Sequence, residues 1–266
     1  MQPRQSIRRI VVAIDASPHS LAAIESAAVL ARLLEIELIG IYVEDIRLLR
    51  VAELPQMVEV NFYSQVVRPF TNRYAEGQLK AQAVRSRRAL EEVAQRSQLR
   101  WSFVVRRGAV SAELVAAAQE GDLLTLGQLG WPLPGRRQLG SIAAAVLSQT
   151  PAPVLIVRQG MRLHAPYLLL YDGSSPARRG LSLAASLLPP GGQLLVASSD
   201  EARHQQEVMQ SLPLAVAYRT RLLQIPGPLG ASLAAIVKAE RIGLVVLGAG
   251  APDWLPAIDV PLLVVP

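Results

Sequence analysis

The sequence predicts an α/β protein of two tandem, doubly wound parallel five-stranded sheets, the second of them degenerate. Three observations carry this. Short apolar runs alternate with longer segments of helical periodicity, in the order β-α-β-α-β-α-β-α-β, across residues 10–157; that alternation is what a parallel sheet with crossover helices requires. Three of the runs stop on polar or glycine residues, at Asp15, at Glu44-Asp45 and at Gly127. The whole pattern then begins again at Tyr167, as an internal repeat.

The first run, 10–14, is apolar throughout, and Ser17-Pro18 reads as the N-cap and first position of a helix. Leu21, Ile24, Ala28 and Ala31 recur at helical spacing and mark its buried face. His19, in its first turn, is expected to be exposed and is given no role. A second strand covers 37–43. Residues 46–70 are irregular, with Pro55 and Pro69 among them, and residues 71–97 form a long polar helix. A strand over 101–105 turns at Arg106-Arg107-Gly108, a helix covers 112–119, and a buried strand covers 123–126. A helix over 142–147 and a strand over 154–157 complete the first unit. Right-handed crossovers put helices on both faces, and ligands then sit beyond the carboxyl ends of the strands. Asp15, Val43, Arg106 and Gly127 all fall there.

Between the fourth strand and the next helix runs GQLGWPLPGRRQLGS, residues 127–141. Glycines bring backbone N–H groups close to a ligand, and a helix N-terminus offers unpaired N–H groups and a positive dipole end. Together they suit a phosphate. Ser141 either caps the helix or donates its hydroxyl to a phosphate oxygen or a metal-bound water, and Arg136 and Arg137 add positive charge. The stretch lacks the Gly-Lys-Ser/Thr of a Walker loop and the spacing of a dinucleotide fingerprint. A glycine- and proline-rich surface loop without a ligand is the alternative. Trp131 either covers the phosphates or anchors the loop.

The spacing Gly127, Gly130, Gly140, Ser141, or G-x2-G-x9-G-[ST], resembles the nucleotide loop of the ATP-binding branch of the universal stress protein family. VVAIDASPHSLAAIESAAVLA, GIYVED, VVRRGAVSAELVAAA and PAPVLIVR are similar to that family's strands and helices, over about residues 7–158 with 46–70 excepted. The resemblance implies an adenine nucleotide alpha hydrolase-like fold that binds ATP, with Mg2+ held through the phosphates. Asp15, Val43, Leu126 and Gly127 would border adenine and ribose. Gly130, Gly140, Ser141 and Ile142 would hold the phosphates. Members of the family pair through their last strands, which implies an internal pseudo-dimer here and allows a homodimer.

Residues 160–166 read as a linker, dividing the chain into 1–159 and 160–266. The second unit has strands over 167–171, 194–197, 215–223, 243–247 and 261–265, a helix start at Ser174-Ser175-Pro176, and a helix over 229–239. Gly127 to Pro153 is 26 positions (153 − 127), whereas Gly248 to Pro261 is 13 (261 − 248). The missing stretch is the second glycine pair, the serine and the helix. Asp253 and Asp259 put negative charge where a phosphate would sit.

Composition excludes several classes. There is no cysteine, and the three histidines lack ligand spacing, so neither disulfides nor a side-chain metal centre is expected. The net charge of +6 is almost all arginine, since Lys80 and Lys238 are the only lysines. The arginines are dispersed, and no aromatic platform interleaves with them, so a nucleic-acid partner is not expected. No apolar run is long enough for a bilayer, and no leader peptide is visible, so a cytoplasmic location is expected. There is no Ser/His/Asp arrangement or paired carboxylate motif. Asp15-Ala16-Ser17-Pro18 also departs from the S-G-G-x-D-S loop of adenylating relatives of the fold. The readings are then a nucleotide-dependent stress or signalling module, an interaction scaffold with a vestigial loop, and a slow ATPase.

Overall fold

The computed structural model describes residues 7–60, 67–119, 121–127, 140–225, 229–248 and 259–266. In the first half the apolar runs become β1 (Arg9–Ala13), β2 (Glu37–Asp45), β5 (Trp101–Gly108), β6 (Asp122–Gly127) and β7 (Val154–Val157), with a small hairpin, β3 (Val58–Val60) and β4 (Val67–Pro69). Between them lie α1 (Pro18–Leu34), α2 (Ile46–Ala52), α3 (Asn72–Arg96), α4 (Val110–Ala117) and α5 (Ser141–Gln149). The second half contributes β8 (Tyr167–Leu170), α6 (Ser175–Leu187), β9 (Leu194–Ser198), α7 (Glu201–Ser211), α8 (Leu214–Ala217), β10 (Thr220–Gln224), α9 (Leu229–Ala239), β11 (Leu244–Gly248) and β12 (Leu262–Val265).

The strands lie in the order β10-β9-β8-β11-β12-β7-β6-β1-β2-β5. Each half is a parallel five-stranded sheet whose order reverses beside its first strand, between β1 and β6 and between β8 and β11. The halves meet where β12 runs antiparallel to β7, with Leu262, Leu263 and Val264 opposite Ile156, Leu155 and Val154. The cause lies in composition. VLIV and LLVV are apolar on both faces and at most 4% exposed, so each strand alone would present a bare apolar edge. Pairing them merges two sheets into one of ten strands.

One side of this sheet packs on α1, α3, α6 and α7 through Ala23, Leu90, Leu181 and Val208. The other packs on α4, α5 and α9 through Leu114, Val146 and Leu233. Central strands buried on both sides need near-continuous apolar sequence, as β6 and β8 show. Among the described residues no helix is long and apolar enough to cross a membrane.

Ser17 caps α1 by accepting the Ser20 N–H, with Pro18 in the first turn. Leu21, expected on the buried face, is 42% exposed; Ala22, Ala23, Ala27, Ala28 and Ala31 do that work with Ile24. Small alanines let the helix lie close against β1 and β6, which turns the bulkier Leu21 outward. Residues 46–70 are more regular than expected, forming α2 and the hairpin. The expected strand over 215–223 begins instead at Thr220, because Pro213 opens the short helix α8, where Ala217 N–H bonds back to the Pro213 carbonyl. In α6 the cap is Ser174, and Pro176 sits in the first turn.

Candidate functional site

The carboxyl edge of the first sheet gathers the described residues of the predicted site. Asp15 follows β1, is exposed, and accepts the Ser17 N–H at 3.0 Å while Ala16 turns through φ 60°. Asp172 repeats this turn with the Ser174 N–H at 2.9 Å and Gly173 at φ 77°. The Asp-x-Ser turn is therefore a helix-entry device in both halves. Val43 is half-buried at the end of β2, beside Arg106 of β5 in register. Leu126 is fully buried beneath this edge.

Gly127 closes β6 opposite Val157. A Cβ there would lie 2.7 and 2.8 Å from the His19 carbonyl carbon and oxygen, and 2.9 Å from the Ser20 nitrogen. The first turn of α1 thus rests directly on the strand end, and only glycine allows it. Gly248 has the milder counterpart, with Ala177 N and the Pro176 Cβ at 3.2 Å.

Gly140, not Ser141, is the N-cap of α5, with φ −59° and ψ 147° and no side-chain cap hydrogen bond. Ser141 is the exposed first residue of the helix, and Ile142 is half-buried against the lower core. By contrast α1, α3, α6 and α7 are capped by Ser17, Thr71, Ser174 and Asp200 side chains. Among the described residues no side chain caps the backbone donors of the α5 N-terminus, which stand behind a cap without a Cβ. Gly130, Trp131, Arg136 and Arg137 lie outside the described residues.

The charges along this edge are partly committed. Arg107 donates to Glu44 at 2.8 Å, and Glu44 is only 7% exposed. Arg106 is exposed. Burial, reinforced by the negative charges of Glu44 and Asp15, pushes the Tyr42 hydroxyl up to about 12; it donates to Gln82 Oε1 at 2.8 Å. Among the described residues no group of three His, Asp or Glu side chains could hold a metal.

One residue of this edge was not legible from sequence. His19 is half-buried rather than exposed, and its Nδ1 accepts the Gln159 N–H at 3.1 Å. The two partners are 140 residues apart, and no local pattern signals their meeting.

In the second half the same edge is filled from within. His204, 6% exposed on α7, bonds through Nδ1 to the Ser198 hydroxyl at 2.8 Å and meets the Tyr171 ring edge-on at 5.1 Å. Its Nε2 lies 2.9 Å from where a Gly173 Cβ would stand. Tyr171 donates to Glu207, which pairs with Arg178 at 2.5 Å. The hydrogen bond from Ser174 holds the Asp172 carboxyl below its ordinary range.

A doubly wound half-sheet repeated in tandem, each with an Asp-x-Ser turn after its first strand, defines a two-unit α/β protein of one structural class. The chain belongs to the universal stress protein family, whose sequence profile matches residues 6–158. A universal stress protein from Archaeoglobus fulgidus is similar over 99% of this chain and 98% of its own, with a TM-score of 0.74 at 16% identity. A functionally unknown protein from Pseudomonas aeruginosa is similar over 100% of this chain and 94% of its own, with a TM-score of 0.58 at 14% identity. At these identities the likeness is one of fold, and it spans both halves. No curated protein matches the chain.

Proposed function

We propose that the protein is an ATP-binding member of its family, acting as a nucleotide-dependent stress or signalling module with its site at the carboxyl edge of the first half. The observation that carries this reading is the glycine-capped N-terminus of α5, with no side-chain cap among the described residues, beside the β1–β6 switch in strand order, where such sheets take their ligands. Asp15, Val43, Leu126 and Gly127 would border adenine and ribose. Gly130, Gly140, Ser141 and Ile142 would hold the phosphates, with Arg136 and Arg137 adding charge. Bound ATP would bring Mg2+ on its own phosphates, and Ser141 suits the donor set as an exposed hydroxyl in the first helical turn. No residue here supplies an evident general base, so this reading is of binding, with any hydrolysis slow.

The test is titration calorimetry with Mg2+-ATP on the whole chain and on Gly140→Val/Ser141→Ala. The valine adds branched bulk at the helix cap, and the alanine removes a donor. Binding by the native chain and its loss in a folded double variant is the expected result; unchanged affinity would overturn the assignment. A scaffold with a vestigial loop is the second reading. What favours it is that packing alone accounts for Gly127 and the turn alone accounts for Asp15.

A further inference from the structure

We infer that His19 is a polyphosphate-contacting residue of this edge, an imidazole N–H donor at the ends of β6 and β7. The inference rests on the nucleotide reading above and adds a residue to it. Three observations carry it. First, the His19 backbone is seated on Gly127, the residue from which the glycine stretch departs. Its ring reaches the N–H of Gln159, two residues past the end of β7. The imidazole therefore stretches across the ends of both strands. Second, α1 and α5 cover opposite sides of these strands, α1 through Ala23 and Ala27 and α5 through Ala143 and Val146. A chain of phosphates led over the strand ends to Gly140 and Ser141 would meet α5 from one side and His19 from the other.

Third, the Gln159 bond sets the chemistry of the ring. Nδ1 accepts a backbone N–H, so in the neutral ring the proton resides on Nε2. That nitrogen is then a donor, as a phosphate oxygen requires, and the ring is held by its other nitrogen rather than left to rotate. Pre-orienting a donor in this way lowers the ordering cost on binding. The neighbouring Arg158 is held by Asp259 of the second half at 3.4 Å, whereas among the described residues the His19 ring bonds to a backbone N–H and to no carboxylate.

The experiment measures the affinities of native, His19→Ala and His19→Gln chains for ATP, AMP and adenosine. The His19→Ala chain should bind ATP about five- to tenfold more weakly, the scale of one hydrogen bond to a charged group at a partly exposed position. AMP and adenosine should be unchanged, and His19→Gln should recover part of the loss through its amide donor. A merely structural histidine would weaken all three ligands alike. In 15N-labelled native protein, ATP should also shift the His19 Nε2 resonance. ATP affinity in His19→Ala equal to native, or an equal loss for adenosine, would overturn the inference while leaving the nucleotide reading standing. Failure of the native chain to bind ATP would overturn both.

Discussion

Asp122 is 1% exposed at the start of β6, and Arg9 at the start of β1 donates to both of its oxygens at 2.9 Å. The Gln119 N–H adds a third bond at 2.9 Å. A carboxylate so placed depends on its partner, because breaking a buried pair strands a charge. Arg9→Ala should destabilise the protein by about 2–3 kcal/mol, below the fully buried range since Arg9 is 38% exposed. Arg9→Ala with Asp122→Asn should lose less, because no charge is then stranded; urea midpoints of the three proteins check this. Thr125 presents the opposite case. It is fully buried in β6, and its hydroxyl has no hydrogen-bond partner among the described residues. Thr125→Val keeps the shape and removes the unanswered group, so it should raise stability by about 1 kcal/mol, read as a higher thermal midpoint. Neither feature was legible in the sequence. Arg9 and Asp122 are 113 positions apart, and a threonine in an apolar run looks the same satisfied or not. Asp15, expected to border the nucleotide, makes a local turn bond to the Ser17 N–H in the structure.

At the level of elements, the apolar runs announced themselves because a parallel strand buried on both faces can carry little else. The helix cap at Ser17 followed from local chemistry in the same way. The sequence reading went astray at 215–223, where apolar and polar residues mix and Pro213 rather than periodicity decides. The join of β7 to β12 was implied by the family resemblance, and its register comes from the structure. Leu263 lies in that join, fully buried, in a core cluster that also holds Leu155 and Val157 of the first half and Tyr167 and Leu181 of the second. Leu263→Asp would place an unpaired carboxylate there, at a cost of more than about 3 kcal/mol. Because the cluster runs through both halves, the loss should not stay local. Circular dichroism and tryptophan fluorescence should report one transition, moved to lower denaturant as a whole. Two separated transitions would mean that the halves unfold independently.

The molecule as a whole has two pseudo-equivalent carboxyl edges and, in the reading advanced here, one nucleotide. The symmetry of the ten-stranded sheet alone would allow two. What separates the edges is what fills them. In the first half the glycine stretch leads to the open cap of α5 at Gly140. In the second, the stretch between Gly248 and Pro261 is 13 positions shorter than its counterpart. There, Tyr171, His204 and Ser198 pack against one another beneath Gly173. Calorimetric titration of the full chain with Mg2+-ATP should therefore give a stoichiometry near one, with ATP bound more tightly than AMP, and AMP more tightly than adenosine. The gradient follows because each phosphate adds charged hydrogen bonds worth about 1.5–3 kcal/mol before solvent screening reduces them. A stoichiometry near two would show that the second edge still binds, despite its missing stretch. Equal affinity for the three ligands would reduce the site to an adenosine pocket, leaving Gly140 and Ser141 a helix start and nothing more.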